Sequence, residues 1–217
     1  MTKNYYRANL YVSIRSARIA FFLSFLTFLS FSSLANSRSV NLAEMTSHAG
    51  RIVHGRVVEV REGVHPLHGQ IAVTFLKVQV IEMLKGGAAR EVTFMQYGNS
   101  TNQYVAHQPK YRVGEEVVLF LYPESKLGFT SPVGQGQGKF VVREDARSGQ
   151  RILQNEHLNR ALFDRLDATK VNARLALNAT EREAVAQPEG RTGAGIDVNA
   201  FRSLVRKFAA NPKANLQ

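Results

Sequence analysis

Two histidines on one short stretch are the residues best spaced for metal chemistry. In His65-Pro66-Leu67-His68 both imidazoles could turn toward one cation, since a ring nitrogen is a common zinc ligand. Pro66 keeps this backbone out of a helix, and no acidic cluster stands beside it. A third ligand could come from His48, His54 or His107. An exposed loop with two histidines accounts for the pattern better, so we predict no cofactor and keep His65 and His68 as the metal candidates.

Other arrangements that carry catalysis are missing from the sequence. The chain has no cysteine, which excludes thiol nucleophiles, cysteine-type zinc sites, iron–sulfur clusters and disulfides. It has no G-x-S-x-G motif that would expose a nucleophilic serine. Gly134, Gly136 and Gly138 precede a strand pattern, whereas a phosphate-binding loop opens a helix. Glu115 and Glu116 are adjacent and would face opposite sides, so they form no acid–base pair. We predict a protein that is not an enzyme.

A third group of side chains suits ligand binding. Aromatic rings stack on bases or sugars, at about 1–3 kcal/mol per base, and cations commonly line the rim of such sites. The candidates are Tyr97, Tyr104, Lys110, Tyr111, Arg112, Phe129, Gln135 and Gln137. The alternative is that these are ordinary loop residues above the edge of a sheet.

The first 35 residues have the pattern of a secretory signal peptide. A charged start without acids leads to the uncharged run Ile19–Phe31, and Ser33 and Ala35 provide small residues for a signal peptidase. We predict cleavage after Ala35, with cleavage after Ser37 as the near alternative. An uncleaved anchor is the other alternative, but the apolar run is shorter than the ~20 residues that span a bilayer.

The positive charge is divided between this leader and the remainder. Of 28 lysines and arginines, four lie in residues 1–35, which leaves 24 against 17 acidic residues in the mature chain. Export and this smaller surplus argue against a nucleic-acid partner. The surplus could serve solubility alone, or it could favour anionic surfaces. We therefore expect a periplasmic or extracellular protein.

The middle of the chain alternates in the manner of β-strands. The predicted strands are Arg51–Arg61, Gln70–Leu84, Glu91–Tyr97, Val117–Tyr122, Lys139–Glu144 and Arg151–Leu153. Among them Val117–Tyr122 does not alternate: it is a continuous apolar run, typical of a central strand buried on both faces, with a short buried helix as the alternative. A switch of parity predicts a bulge or a sharp bend near Phe75–Leu76, of the kind that barrels use to turn corners. Strands without helices between them form antiparallel sheets, and closure hides their edges. We predict a mainly β fold, a partly closed antiparallel barrel over 51–155.

The blocks GRVVEV, VTFLKVQVIEMLKG, VTF and YRVGEEVVLFL are similar to those of the netrin/tissue-inhibitor-of-metalloproteinase module over about 52–122. That resemblance implies an OB-like five-stranded barrel. The stretch SPVGQGQGKFVV and the NRALF sequence ending at Phe163 also resemble uncharacterised secreted bacterial proteins. Inhibitors of the netrin-like family chelate zinc through an N-terminal cysteine. This chain has none, so the resemblance implies the fold and not the inhibition.

The remainder of the chain is predicted to be helical. Apolar spacing predicts a helix over Glu156–Ala168, and Thr180 with Glu183 matches a capping box. Residues 187–195 have the composition of a flexible linker. Asp197 should cap a last helix, Val198–Ala210, whose apolar stripe is Phe201, Leu204, Val205 and Phe208. That stripe would either pack on the barrel or dock on a partner or anionic lipid.

The predicted organisation is a signal peptide (1–35), an N-terminal lead-in (36–50), the OB-like barrel (51–155), a helical extension (156–186), a linker (187–195) and a C-terminal amphipathic helix with its tail (196–217). We expect a non-enzymatic extracytoplasmic module that binds a protein or envelope polymer through residues 98–112 and 128–138. The alternatives are an envelope-surface protein held on anionic membrane by its last helix, and a metal-binding protein or hydrolase that uses the loop histidines.

Overall fold

The computed structural model describes residues 38–100, 105, 108–186 and 195–212. Contacts divide the chain into Met1–Arg38 and Ser39–Gln217, and the architecture below belongs to the second unit. The predicted signal peptide and Tyr104 lie outside the described residues, as does nearly all of the predicted linker. Within the described ranges, no helix combines the length and the apolar character needed to cross a membrane.

Seven strands form one antiparallel sheet in the order β3-β2-β1-β4-β5-β6-β7. Their bounds are β1 Arg51–Val64, β2 Ala72–Lys85, β3 Glu91–Tyr97, β4 Glu116–Leu121, β5 Lys139–Glu144, β6 Arg151–Asn155 and β7 Ile196–Asp197. The described residues contain four α-helices, α1 Leu42–His48, α2 Ala168–Leu175, α3 Ala179–Val185 and α4 Val198–Ala210, and a 3-10 helix covers Gln135–Gly138. The glycine-rich segment is thus a short 3-10 turn directly before β5, so these glycines precede a strand, as predicted.

The mainly β, antiparallel prediction is confirmed, but the sheet does not close. Its two edges are β3 and β7. The six predicted strands are present with ends displaced by a few residues, and the continuous apolar run predicted as a central strand is β4. Both of its faces are covered, because Val118 and Phe120 belong to one core while Val117 and Leu119 belong to the other.

The first core lies between the sheet and the helices, and the second is enclosed by β1 to β4. In the first, Phe120 of β4, Phe140 of β5 and Phe201 of α4 pack ring against ring. The predicted stripe of α4 is buried there, so the helix packs on the sheet. In the second core, the buried side chains include Val57, Leu76 and Phe94.

The irregularity predicted near Phe75–Leu76 lies on the neighbouring strand β1 and not on β2 itself. Residues 73–79 of β2 pair with β3 without interruption. The extra residue at the middle of the β1–β2 ladder is Val58, which is left out between the pairs Val57–Val78 and Glu59–Lys77. The irregularity therefore lies close to the predicted position in the β1–β2 ladder, but on the partner strand.

The predicted helix over Glu156–Ala168 is also wrong. Residues 156–165 form successive turns, and Leu158, Asn159, Ala161 and Arg165 have positive φ angles, which an α-helix does not allow. The Asn155 carboxamide oxygen accepts the backbone N–H groups of His157 (3.0 Å) and Asn159 (2.8 Å). Such side-chain bonds to the backbone compete with helical ones.

The helix caps are partly as predicted. Asp197 caps α4 by accepting the backbone N–H groups of Asn199 and Ala200, each at 2.9 Å. The capping box of α3 lies earlier than Thr180 and Glu183. It is formed by Asn178, whose side chain accepts the Glu181 N–H at 2.9 Å, and by Glu181, whose carboxylate accepts the Asn178 N–H at 2.7 Å. Asparagine ranks above threonine as an N-cap, which explains the earlier start.

Candidate functional site

The β1–β2 loop and the β4–β5 loop meet at one end of the sheet. His65 joins them, because its Nε2 donates to the Leu127 carbonyl oxygen at 2.8 Å. Its Nδ1 accepts the backbone N–H groups of Leu67 and His68, each at 3.1 Å. A ring nitrogen that accepts two N–H groups is unprotonated, so His65 is the neutral tautomer with its proton on Nε2. This buried imidazole fixes the shape of both loops.

Four rings follow one another across this end. The His65 ring centroid lies 4.9 Å from that of His68 and 5.2 Å from that of Phe129. Phe129 in turn meets Tyr97 edge-on at 6.1 Å. Two leucines flank these rings on the neighbouring loops. We call the group His65, Leu67, His68, Tyr97, Leu127 and Phe129 the ring surface.

The ring surface is attached to the edge strand β3. The Thr130 N–H donates to the Met95 carbonyl oxygen at 3.1 Å, and Phe129 forms an isolated bridge with Met95. Gly128 has φ of +78°, a left-handed conformation that suits glycine, and closes the turn that begins at Ser125. Local turn chemistry therefore aims Phe129 at Tyr97.

Much of the ring surface is apolar and open to solvent. Leu67 is 83% exposed, and Tyr97 and Leu127 are each 47% exposed. Val64, at the end of β1 beside this loop, is also exposed. A contiguous exposed apolar patch commonly marks a site of interaction with another molecule.

The histidines of this surface are not arranged as a metal centre. Both ring nitrogens of His65 are engaged with the backbone, so a metal bond would break one of these hydrogen bonds. Within the described ranges, no group of three or more histidine, aspartate or glutamate side chains is suited to hold a metal ion. What the geometry offers here is a rigid aromatic and aliphatic surface.

A cleft of about 230 Å³ lies on the opposite face of β3 from Tyr97. The Gln96 side chain, which is 2% exposed, lines it together with Glu62, Lys110 and Tyr111. The Gln108 carboxamide donates to the Gln96 oxygen at 3.1 Å, and the Gln96 nitrogen reaches the Tyr111 hydroxyl at 3.4 Å. The Glu62 carboxylate accepts the Ser100 N–H at 2.9 Å.

The side chain of Tyr111 is partly buried and packs against the second core. Its ring meets Phe94 edge-on at 6.1 Å, and the buried Lys139 Nζ lies 4.6 Å from the ring centroid. Lys139 also donates to the Lys110 carbonyl oxygen and binds Glu115 at 2.8 Å. Burial raises the pKa of the Tyr111 phenol well above its usual value, so the hydroxyl stays neutral. These contacts attach the segment after the long loop to the sheet.

The other predicted binding residues are dispersed. Arg112 is exposed, and its backbone N–H donates to Glu115 at 3.2 Å. Gln135 is exposed at a positive φ, whereas Gln137 is buried and its side-chain oxygen accepts the Val40 N–H at 2.8 Å. The structure thus brings Tyr97 together with Phe129, and Lys110 together with Tyr111, but it does not join these pairs in one site.

Sequence reasoning missed an ionic cluster beneath α4. The His54 Nε2 donates to Glu116 at 2.8 Å, and burial, the largest influence, lowers the pKa of this imidazole. Its Nδ1 is buried with no partner among the described residues. Glu116 also binds Arg151 and Arg56, and on β2 Glu82 binds two arginines of α4, Arg202 and Arg206. From the sequence, His54 is only one of three candidates for a third metal ligand, because nothing in the sequence indicates that it lies next to Glu116.

Comparison with known proteins adds no identification. No protein-family model matches the chain, and no curated protein matches it.

Proposed function

We propose that the exported chain is a non-enzymatic binding module that takes a protein or polymer ligand on the ring surface. The observation that carries this proposal is the grouping of exposed Leu67, Leu127 and Tyr97 around a loop junction that is hydrogen-bonded through His65. Rigid aromatic and aliphatic side chains bind with little loss of conformational entropy.

The strand order supports an OB-like assignment for the β1 to β5 part of the sheet. In the observed order β1 lies between β2 and β4, and β5 follows β4. OB-type barrels bind their ligands on strands 2 and 3 and on the loops after strands 1 and 4. The ring surface is formed by the same parts of the sheet: His65 lies on the loop after β1, Phe129 on the loop after β4, and Tyr97 at the end of β3.

A membrane-surface role has less support than the binding module. The apolar stripe of α4 is buried in the first core, and Arg202 and Arg206 are bound to Glu82. Binding lipid through that stripe would require the helix to leave the sheet. An exposed apolar surface that needs no rearrangement is available at the ring surface.

Site-specific photo-crosslinking in the native envelope tests the proposal. A photoreactive residue placed at Leu67 should give a discrete crosslinked product with a partner that is identified by mass spectrometry. The same residue at Val113, which is 65% exposed on the turn before β4, is the matched control. We expect the product at Leu67 and not at Val113, and its loss when Leu127 and Tyr97 are changed to serine. Equal products at both positions, or none at Leu67, would contradict the proposal.

A further inference from the structure

The cleft beside β3 differs from the ring surface in the chemistry of its lining. Gln96 and Tyr97 are successive residues of a strand and therefore face opposite sides. Tyr97 belongs to the ring surface, whereas Gln96 continues the inward-facing series of Val92 and Phe94. The cleft thus opens at the end of the second core, and concave sites with a few convergent polar groups are common ligand sites.

The polar groups of the cleft act both as donors and as acceptors. The Gln96 and Gln108 carboxamides bond to each other, but the contact of the Gln96 nitrogen with the Tyr111 hydroxyl is long at 3.4 Å. A stronger acceptor could replace that contact. The hydrogen bonds from Ser100 hold the pKa of the Glu62 carboxyl below its ordinary value, so Glu62 is ionised at neutral pH.

The charges at the cleft are balanced. Among the described lining residues one is acidic, Glu62, and one is basic, Lys110. Phosphorylated ligands need a surplus of cations or a helix N-terminus, and the described lining provides neither. Val60, Val105 and Pro109 add an apolar wall. A neutral ligand with hydroxyl groups, an amide and an apolar face matches this combination.

The volume limits the size of that ligand. At about 230 Å³ the cleft is smaller than the ~300–1,000 Å³ typical of drug-sized ligands. We propose that it binds a single N-acetylated sugar residue. The acetamido group exchanges hydrogen bonds with the carboxamides of Gln96 and Gln108, and the hydroxyl groups bond to Glu62 and Lys110. The apolar face of the sugar lies on Val60 and Pro109.

Nuclear magnetic resonance titration of the nitrogen-15-labelled mature protein tests this inference. The probe is N,N′,N″-triacetylchitotriose, and maltotriose is the matched control because it lacks acetamido groups. With the probe at up to about 10 mM, we expect saturable shifts of the Gln96 and Gln108 side-chain amides and of the Ser100 N–H. The Tyr97 and Phe129 signals should stay unchanged. Maltotriose should cause no saturable shift.

Substitutions at two exposed lysines test whether the probe binds in the cleft or elsewhere on the surface. Lys110→Ala removes the ammonium at the cleft and should weaken binding of the probe about tenfold, as expected for a hydrogen bond to a charged group. Lys126→Ala, on the turn beside the ring surface, should leave the affinity unchanged. Absence of a saturable shift, equal shifts with maltotriose, or shifts confined to the ring surface would overturn the inference. None of these outcomes bears on crosslinking at Leu67, so the two proposals can fail separately.

Discussion

Replacing Phe201 of α4 by alanine tests whether the last helix is part of the folded core. The Phe201 side chain is fully buried, and its ring centroid lies 4.7 Å from that of Phe140 and 6.1 Å from that of Phe120. Phenylalanine-to-alanine changes in cores cost ~3–5 kcal/mol. That cost includes the loss of both aromatic pairs, each worth ~0.5–1.5 kcal/mol beyond burial, so we expect a value in the upper part of the range, about 4–5 kcal/mol in the free energy of unfolding.

Urea denaturation followed by circular dichroism measures this loss directly. For a domain of this size each kcal/mol lowers Tm by ~2–4 °C, so thermal unfolding should shift by about 10 °C or more. Leu67→Ala is the control, because that side chain is 83% exposed and its loss should stay within about 0.5 kcal/mol. A loss below about 1 kcal/mol for Phe201→Ala would refute the reasoning. It would mean that α4 is not docked on the sheet, and the membrane-surface alternative would regain its apolar stripe.

Two further predictions concern neighbouring residues of β1, His54 and Gly55. The pKa of the His54 imidazole is lowered in the folded protein, whereas in the unfolded chain it has its ordinary value of 6.5. The unfolded chain therefore takes up a proton at this residue more readily. The stabilisation from neutral His54 is therefore complete above pH 6.5 and is lost as the pH falls toward the folded pKa. His54→Gln should flatten the free energy of unfolding between about pH 5 and 7, and an unchanged slope would contradict this. Gly55→Ala should destabilise the fold by several kcal/mol in the same assay, because a Cβ there would lie 2.4 Å from the Gln79 carbonyl oxygen; wild-type stability would disprove the close approach.

The elements that the sequence predicted well have short-range causes. The bounds of α4 follow from the Asp197 cap and from an apolar stripe at helical spacing, and both signals lie within the segment itself. The burial of β4 on two faces follows from its unbroken apolar run. Residues 156–165 were mispredicted because Asn155 and Asn159 bond to nearby backbone, which overrides the apolar spacing.

The binding surface was only half predictable for a related reason. Tyr97 and Phe129 were identified by residue type, and they do meet. The junction that brings in Leu67 depends on a hydrogen bond from His65 to the backbone carbonyl of Leu127, and any residue could supply that acceptor. The sequence therefore contains no sign of it. The ring of Tyr111 packs against the second core, while the residue also lines the cleft beside β3, a double position that the sequence does not indicate.

The two-residue strand β7 couples the last helix to the margin of the sheet. Ile196 and Asp197 pair with Leu153 and Ile152 of β6, and Asp197 is at the same time the cap of α4. Undocking the helix would thus also strip β6 of its neighbour and leave unpaired backbone groups that another chain could bind. We therefore expect that loss of the C-terminal segment would expose this edge of the sheet and promote oligomers before the rest of the protein unfolds.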